Sequence, residues 1–145
     1  MSDEIYLKPF AAEDLKFAFQ YYEETLRGVI DRAFGWDDNF QRERFASRYD
    51  ISWFYWIDTA ADRVGYVCFF ENDHELHISL LIVDPKFQKR SFGRKVMSLL
   101  QARAKQSSKH VTLSSFKKND SAISFYRRLG YQITGEDEHF VDMKY

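Results

Sequence analysis

The segment "ELHISLLIVDPKFQKRSFGRKVMSLL", residues 75–100, limits the possible folds more than any other. It opens as a strand: Leu76, Ile78, Leu80 and Ile82 alternate with Glu75, His77, Ser79, Leu81 and Val83. That is the period of two an extended chain imposes, so it predicts the first four on one face. The other face is polar at its start and apolar at its end. Asp84 and Pro85 break the strand, and Phe92, Val96, Leu99 and Leu100 then recur at helical spacing. Between strand and helix runs a loop with Lys86, Lys89, Arg90 and Arg94 beside the small Ser91 and Gly93. The next apolar run, "HVTLSSF", reads as another strand. A strand, a helix and a strand in this order predict a right-handed crossover over 76–116.

The rest of the chain fits around that unit. "EIYLK" reads as an opening strand stopped by Pro9. Leu15, Ala18, Phe19, Tyr22 and Leu26 mark a helix, and "DDNFQRERFASRY" a second one with Asp37 or Asp38 at its start. "SWFYWID" and "RVGYVCFF" read as strands joined by the polar turn "TAAD". "NDSAISFYRRLG" is a helix with a cap signal before it and Gly130 after it. "YQITG" and "HFVDMKY" close as a hairpin. The expected fold class is α/β (α+β): a mixed, partly antiparallel central sheet flanked by helices. A single domain is expected over 1–145, a length that supports one core of ordinary size.

Composition narrows the function. Lys plus Arg number 21 and Asp plus Glu 22, so the basic excess expected of a phosphate-tracking protein is missing and no nucleic-acid partner is expected. Cys68 is the only cysteine, in the apolar run "VGYVCFF", where a small buried hydrophobe is the plain reading. The start is acidic, no run is long enough to span a membrane, and a cytoplasmic protein is the expectation.

A helix N-terminus leaves backbone N–H groups without intrahelical acceptors and carries the positive end of the dipole. A tight loop entering such an end is a natural anion site. Taken alone, "QKRSFGR" better fits a solvated basic loop before an ordinary helix, since basic turns are common and one glycine is a weak signal. Its surroundings add more. The pattern V-x-P-x-[FY]-Q-x-x-[GS]-x-G-x-x-[VL] over 83–96 resembles the acetyl-CoA pyrophosphate loop of the GNAT superfamily of N-acetyltransferases. Gln88, Ser91 and Gly93 fill its three marked places. Downstream, "NDSAISFYRRLGY" resembles the family's N-x-x-A-x-x-x-Y-x-x-x-G-[FY], with Asn119, Ala122, Tyr126, Gly130 and Tyr131 in register. The strand order agrees as well. Ser91 departs from the family's usual glycine; a left-handed backbone there costs a serine about 1–2 kcal/mol.

The resemblance implies a V-shaped cleft between the fourth and fifth strands. Backbone groups of Leu81, Ile82 and Val83 would meet the pantetheine arm of the cosubstrate acetyl-CoA. A backbone N–H near Leu81 would polarise the thioester carbonyl. The loop of Gln88, Lys89, Arg90, Ser91, Phe92, Gly93 and Arg94 would hold the pyrophosphate. Asn119 would bond the pantetheine or cap its own helix. Tyr126 would be the general acid that protonates the departing thiolate, although its spacing with Ile123 and Leu129 also suits a core tyrosine. Glu75 or His77 would act as base, or ordered water would. No metal is expected, because "HELH" lacks zinc-protease spacing and puts His74 and His77 on opposite strand faces.

The implied activity is acetyl transfer to a primary amine of a small molecule or peptide. For that acceptor, Trp36 offers an aromatic wall, and Asp37, Asp38, Glu136, Asp137 and Glu138 offer acidic groups beside His139. Solvated surface is the commoner role of such residues. Polyamine, aminoglycoside, amino acid and protein N-terminus all fit the sequence. A homodimer fits the family and the abundant aromatics. The rival readings are a non-catalytic acyl-CoA sensor of the same fold and an unrelated nucleotide-binding domain.

Overall fold

The computed structural model describes residues 4–145. In chain order the elements are β1 Tyr6–Pro9, α1 Leu15–Phe34, α2 Asp38–Arg48, β2 Phe54–Asp58, β3 Arg63–Glu71 and β4 Glu75–Val83, followed by α3 Phe92–Gln106, β5 His110–Phe116, α4 Asp120–Arg128, β6 Gln132–Glu136 and β7 Phe140–Lys144. Among the described residues the strands form one sheet of order β1-β2-β3-β4-β5-β7-β6. Only β4 and β5 run parallel; every other neighbouring pair is antiparallel. The expected α/β architecture is therefore the observed one.

Local chemistry sets the boundaries. Asp37 caps α2 by accepting the Phe40 N–H at 2.9 Å. The β3–β4 turn is closed by Asn72, whose side-chain oxygen accepts the N–H groups of His74 and Glu75. Asn119 caps α4 by accepting the Ala122 N–H, and the helix ends toward Gly130 at φ 101°. Pro9 is the last residue of β1 rather than its stop, which an edge strand tolerates. Ser52 and Trp53, expected as strand, lie instead in a 3-10 turn over Ile51–Trp53, because the Asp50 carboxylate accepts the Ser52 N–H and bends the chain.

The helices cover both faces of the sheet, giving two cores. On one face Val96, Met97 and Leu100 of α3 and Tyr126 of α4 pack with Leu76, Ile78, Leu113 and Met143. On the other, Phe19, Tyr22 and Leu26 of α1 and Phe45 of α2 pack with Phe54, Trp56, Tyr66, Leu80 and Ile82. Leu99, expected inside with α3's other apolar residues, is only partly buried against the first core.

This division corrects one expectation about β4. Leu76, Ile78, Leu80 and Ile82 are all buried, but not on one face. Phe69 pairs with Ile78 and Cys68 with Leu80, which leaves Ser79 as an extra residue, a β-bulge. One extra residue reverses the alternation. Leu76 and Ile78 therefore face α3, while Leu80 and Ile82 face α1. Leu81 and Val83 now pack toward the α3 core.

Candidate functional site: a cleft through the sheet

The parallel pairing of β4 with β5 covers only residues 75–78 against 110–113. Beyond it, β5 continues along β7, from Thr112 opposite Lys144 to Phe116 opposite Phe140. The rest of β4 stays with β3. The strands separate and leave a cleft of about 680 Å³ that opens on both faces of the sheet.

On the α3 face the cleft ends at the loop before that helix. Asp84 caps the turn Pro85–Phe87 by accepting the Lys86 N–H, and the Gln88 amide donates to the Val83 carbonyl at 2.9 Å, tying the loop to the end of β4. Lys89 and Ser91 both take left-handed backbone, at φ 62° and 70°. Ser91 thus sits in a left-handed conformation that glycine adopts without cost, and it carries the corresponding strain. Left-handed backbone at Ser91 followed directly by the right-handed helix turns successive N–H groups to one side, a concavity suited to anions. At Gly93 a Cβ would stand 3.2 Å from the Phe125 ring, so that position is closely packed from behind. Gln88, Lys89, Ser91, Phe92, Gly93 and Arg94 line the cleft, as do Leu81, Ile82, Val83 and Asn119. Arg90 does not; its guanidinium lies over Phe87 and Phe92.

Tyr126 lines the middle of the cleft and is buried between Phe125 and Tyr131. Burial pushes its phenol well above the ordinary tyrosine range, so it holds its proton at neutral pH.

The opposite face carries His77. Its Nδ1 lies 2.8 Å from the Thr112 hydroxyl, and its Nε2 lies 3.4 Å from Ser114 Oγ. Ser114 donates its single proton to Asp142 at 2.9 Å, so it can only accept from an Nε2–H. Thr112 is then the donor to Nδ1, and the network assigns one neutral tautomer. Burial lowers the His77 pKa from 6.5, opposed in part by Glu75 and Asp142 and reinforced by Arg48. Glu75 Oε1 is 3.8 Å from Nδ1 and lies outside the cleft lining.

The residues considered for the acceptor lie elsewhere. Trp36 packs on Phe19 and Tyr22 beneath the Arg27 guanidinium. Asp37 is occupied as a helix cap. His139 stacks on Phe34 at 4.6 Å beside Glu138. Asp38 pairs with Arg42 and Glu136 with Lys117, while Asp137 accepts the N–H groups of His139 and Phe140. None of them lines the cleft. Its α1-side mouth is formed instead by Thr25, Val29, Arg48, Tyr49 and Phe140, none of which the sequence had marked. Arg48 reads in sequence as an ordinary helix-end cation, so no local pattern could have found it. The alternating hydroxyls Thr112 and Ser114 were a visible signal, being polar positions opposite Val111 and Leu113 on one strand.

The site is thus a cleft in a seven-stranded mixed sheet, opened beyond its one parallel pair and bounded by the cationic loop before α3. The sequence model of the Acetyltransferase (GNAT) family matches residues 15–131, and the chain belongs to that family. No curated protein sequence matches it significantly. Among solved structures the fold is similar to that of YjaB from Escherichia coli (TM-score 0.75, 15% identity, 98% of this chain and 97% of that chain). It is also similar to the PaiA N-acetyltransferase of Thermoplasma acidophilum in complex with coenzyme A (0.73, 14%, 98% and 99%). A third likeness is to the ribosomal-protein-S18-alanine N-acetyltransferase of E. coli (0.64, 18%, 97% and 92%).

Proposed function

We propose that the protein is an N-acetyltransferase that moves an acetyl group from acetyl-CoA to a primary amine by direct attack. The observation that carries this reading is one cleft joining three things. These are the anion-binding loop on the α3 face, a protonated tyrosine in the middle, and a neutral, oriented histidine on the α1 face.

The N–H groups of residues 89–94, with Lys89 and Arg94, suit a pyrophosphate, and the stretch of β4 that β5 has left suits the amides of a pantetheine arm. When bound, acetyl-CoA supplies an acyl group activated as a thioester. A backbone N–H near Leu81 donates to the thioester carbonyl as its oxygen gains charge. Ordered water in the cleft takes the proton of the attacking amine and passes it toward His77 Nδ1, which Thr112 otherwise satisfies from outside the lining, while Ser114, held by Asp142, fixes Nε2–H. Glu75, 3.8 Å away, favours the imidazolium that results. Tyr126 gives its phenolic proton to the departing sulfur. Asn119 keeps α4, and therefore Tyr126, in position.

Calorimetric titration of acetyl-CoA, with ATP as control, tests the reading. Saturable acetyl-CoA binding, weakened at least tenfold by Gly93→Val or Arg94→Glu, is expected, together with thiol release in the presence of amines. Failure to bind acetyl-CoA overturns it. Binding without turnover on any amine would make the protein a sensor rather than an enzyme.

A further inference from the structure

Among the described residues the cleft lining holds Arg48, Lys89, Arg94 and Arg128, and no aspartate or glutamate. Three of those cations belong to the α3 side, with the loop and α4. Arg48 belongs to the other mouth, where the acceptor amine enters if the reading above holds. There it stands beside His77, Tyr49 and Phe140. A mouth for a polycation needs acidic groups or bare aromatic faces, and here an arginine covers the aromatic faces. We infer that Arg48 reads a carboxylate on the acceptor, so that the substrate class is amines whose molecule also carries an anion; this rests on the proposed amine acetylation.

Three observations support it. First, the guanidinium rests against two aromatic rings. It lies over the Phe140 ring at 5.1 Å and the Tyr49 ring at 5.9 Å, which leaves its N–H edges as a fork for a carboxylate. Second, it has no carboxylate of its own. Arg27, Arg42, Arg63 and Arg103 are each paired with a glutamate or aspartate, whereas among the described residues none is in ion-pair contact with Arg48. Third, the Thr25 hydroxyl oxygen at the same mouth is buried and makes no hydrogen bond within the protein. A buried hydroxyl without a partner is uncommon, and rotation about its χ1 toward the cleft would give it one on a bound ligand. Arg44 also lies 5.9 Å from the Phe140 ring centre and adds to the positive field without entering the lining.

Matched pairs differing only in the carboxylate test the inference. One arm compares free L-amino acids with their amides; the other compares peptides bearing Glu or Gln at the second position. Spermidine serves as the polycation. Each is titrated into protein saturated with coenzyme A, and each is assayed for turnover with acetyl-CoA. The carboxylate member should bind about tenfold tighter in at least one arm, and that arm identifies its source. Arg48→Met should abolish the preference, Arg48→Lys should retain part of it, and both should leave acetyl-CoA affinity unchanged. Equal binding of the two members, no binding of either, tighter binding of spermidine, or a preference that survives Arg48→Met overturns the inference. Loss of acetyl-CoA binding in the wild-type protein would instead overturn the acetyltransferase reading, so the two failures are distinguishable.

Discussion

The β4–β5 pair is closed in its first half and open in its second, and the two halves differ in chemistry as well as shape. In the closed half, residues 75–78 meet 110–113 through a regular ladder, with Leu76, Ile78, Val111 and Leu113 buried on the α3 face. In the open half, Ser79 at the bulge and Ser114 and Ser115 of β5 add hydroxyls to a lining that still includes Leu80, Leu81, Ile82, Val83 and Phe116. Nothing in the β-propensity of either strand forces the change. The separation begins at the Ser79 bulge, where β4 shifts its register along β3 while β5 continues in register along β7. The difference teaches that this site is a place where backbone pairing was given up, so that main-chain groups remain free for a ligand.

The strongest way to break this contrast is at Gly65, where β3 holds the open half of β4. A Cβ there would stand 2.0 Å from the Ile82 carbonyl oxygen and 2.9 Å from the Val83 Cα, both backbone atoms. Gly65→Val should cost about 3 kcal/mol in denaturant unfolding and should also abolish acetyl-CoA binding, because β4 must move. Retained stability and binding would show that β4 is positioned by other contacts.

Tyr126→Phe removes a proton donor from the open half and leaves the packing. Turnover should fall about 100-fold with acetyl-CoA affinity unchanged; an unaltered kcat would make Tyr126 a core residue only. His77 lies where the closed half begins to open. His77→Gln should lower kcat about tenfold, since water can still accept a proton. Imidazole NMR of the wild-type protein should place its titration below 6.5. Because the folded state then binds this proton less readily than the unfolded one, stability should rise with pH from the folded-state pKa up to about 6.5. His77→Gln should remove that part of the slope. A titration at or above 6.5 would argue against the buried network.

The smallest effect is expected at Ser91. Replacing it with glycine relieves a left-handed serine at φ 70° and should stabilise the fold by up to about 1 kcal/mol. Acetyl-CoA affinity should change only a few-fold, because the amides that face the ligand stay in place. A large gain in affinity would mean that strain at Ser91 limits the loop.

Much of this was legible in residue order. The strand–loop–helix of residues 75–100, the caps at Asp37 and Asn119, the basic turn and the tyrosine in α4 depend on neighbours within a few positions, and local sequence specifies such features directly. The bulge at Ser79 was not legible: alternation continues through it in sequence, and only pairing with β3 reveals the extra residue. Nor was the acceptor mouth. Its arginine ends α2, its phenylalanine begins β7 and its threonine lies in α1. The acidic residues that looked ready for an amine were taken by helix caps and surface ion pairs. The sequence by itself determined the elements, their order and the basic loop before α3, because those rest on local backbone chemistry. Only the tertiary structure decided the charge of the α1-side mouth, because that mouth gathers side chains from elements far apart in the chain, whose meeting no local pattern encodes.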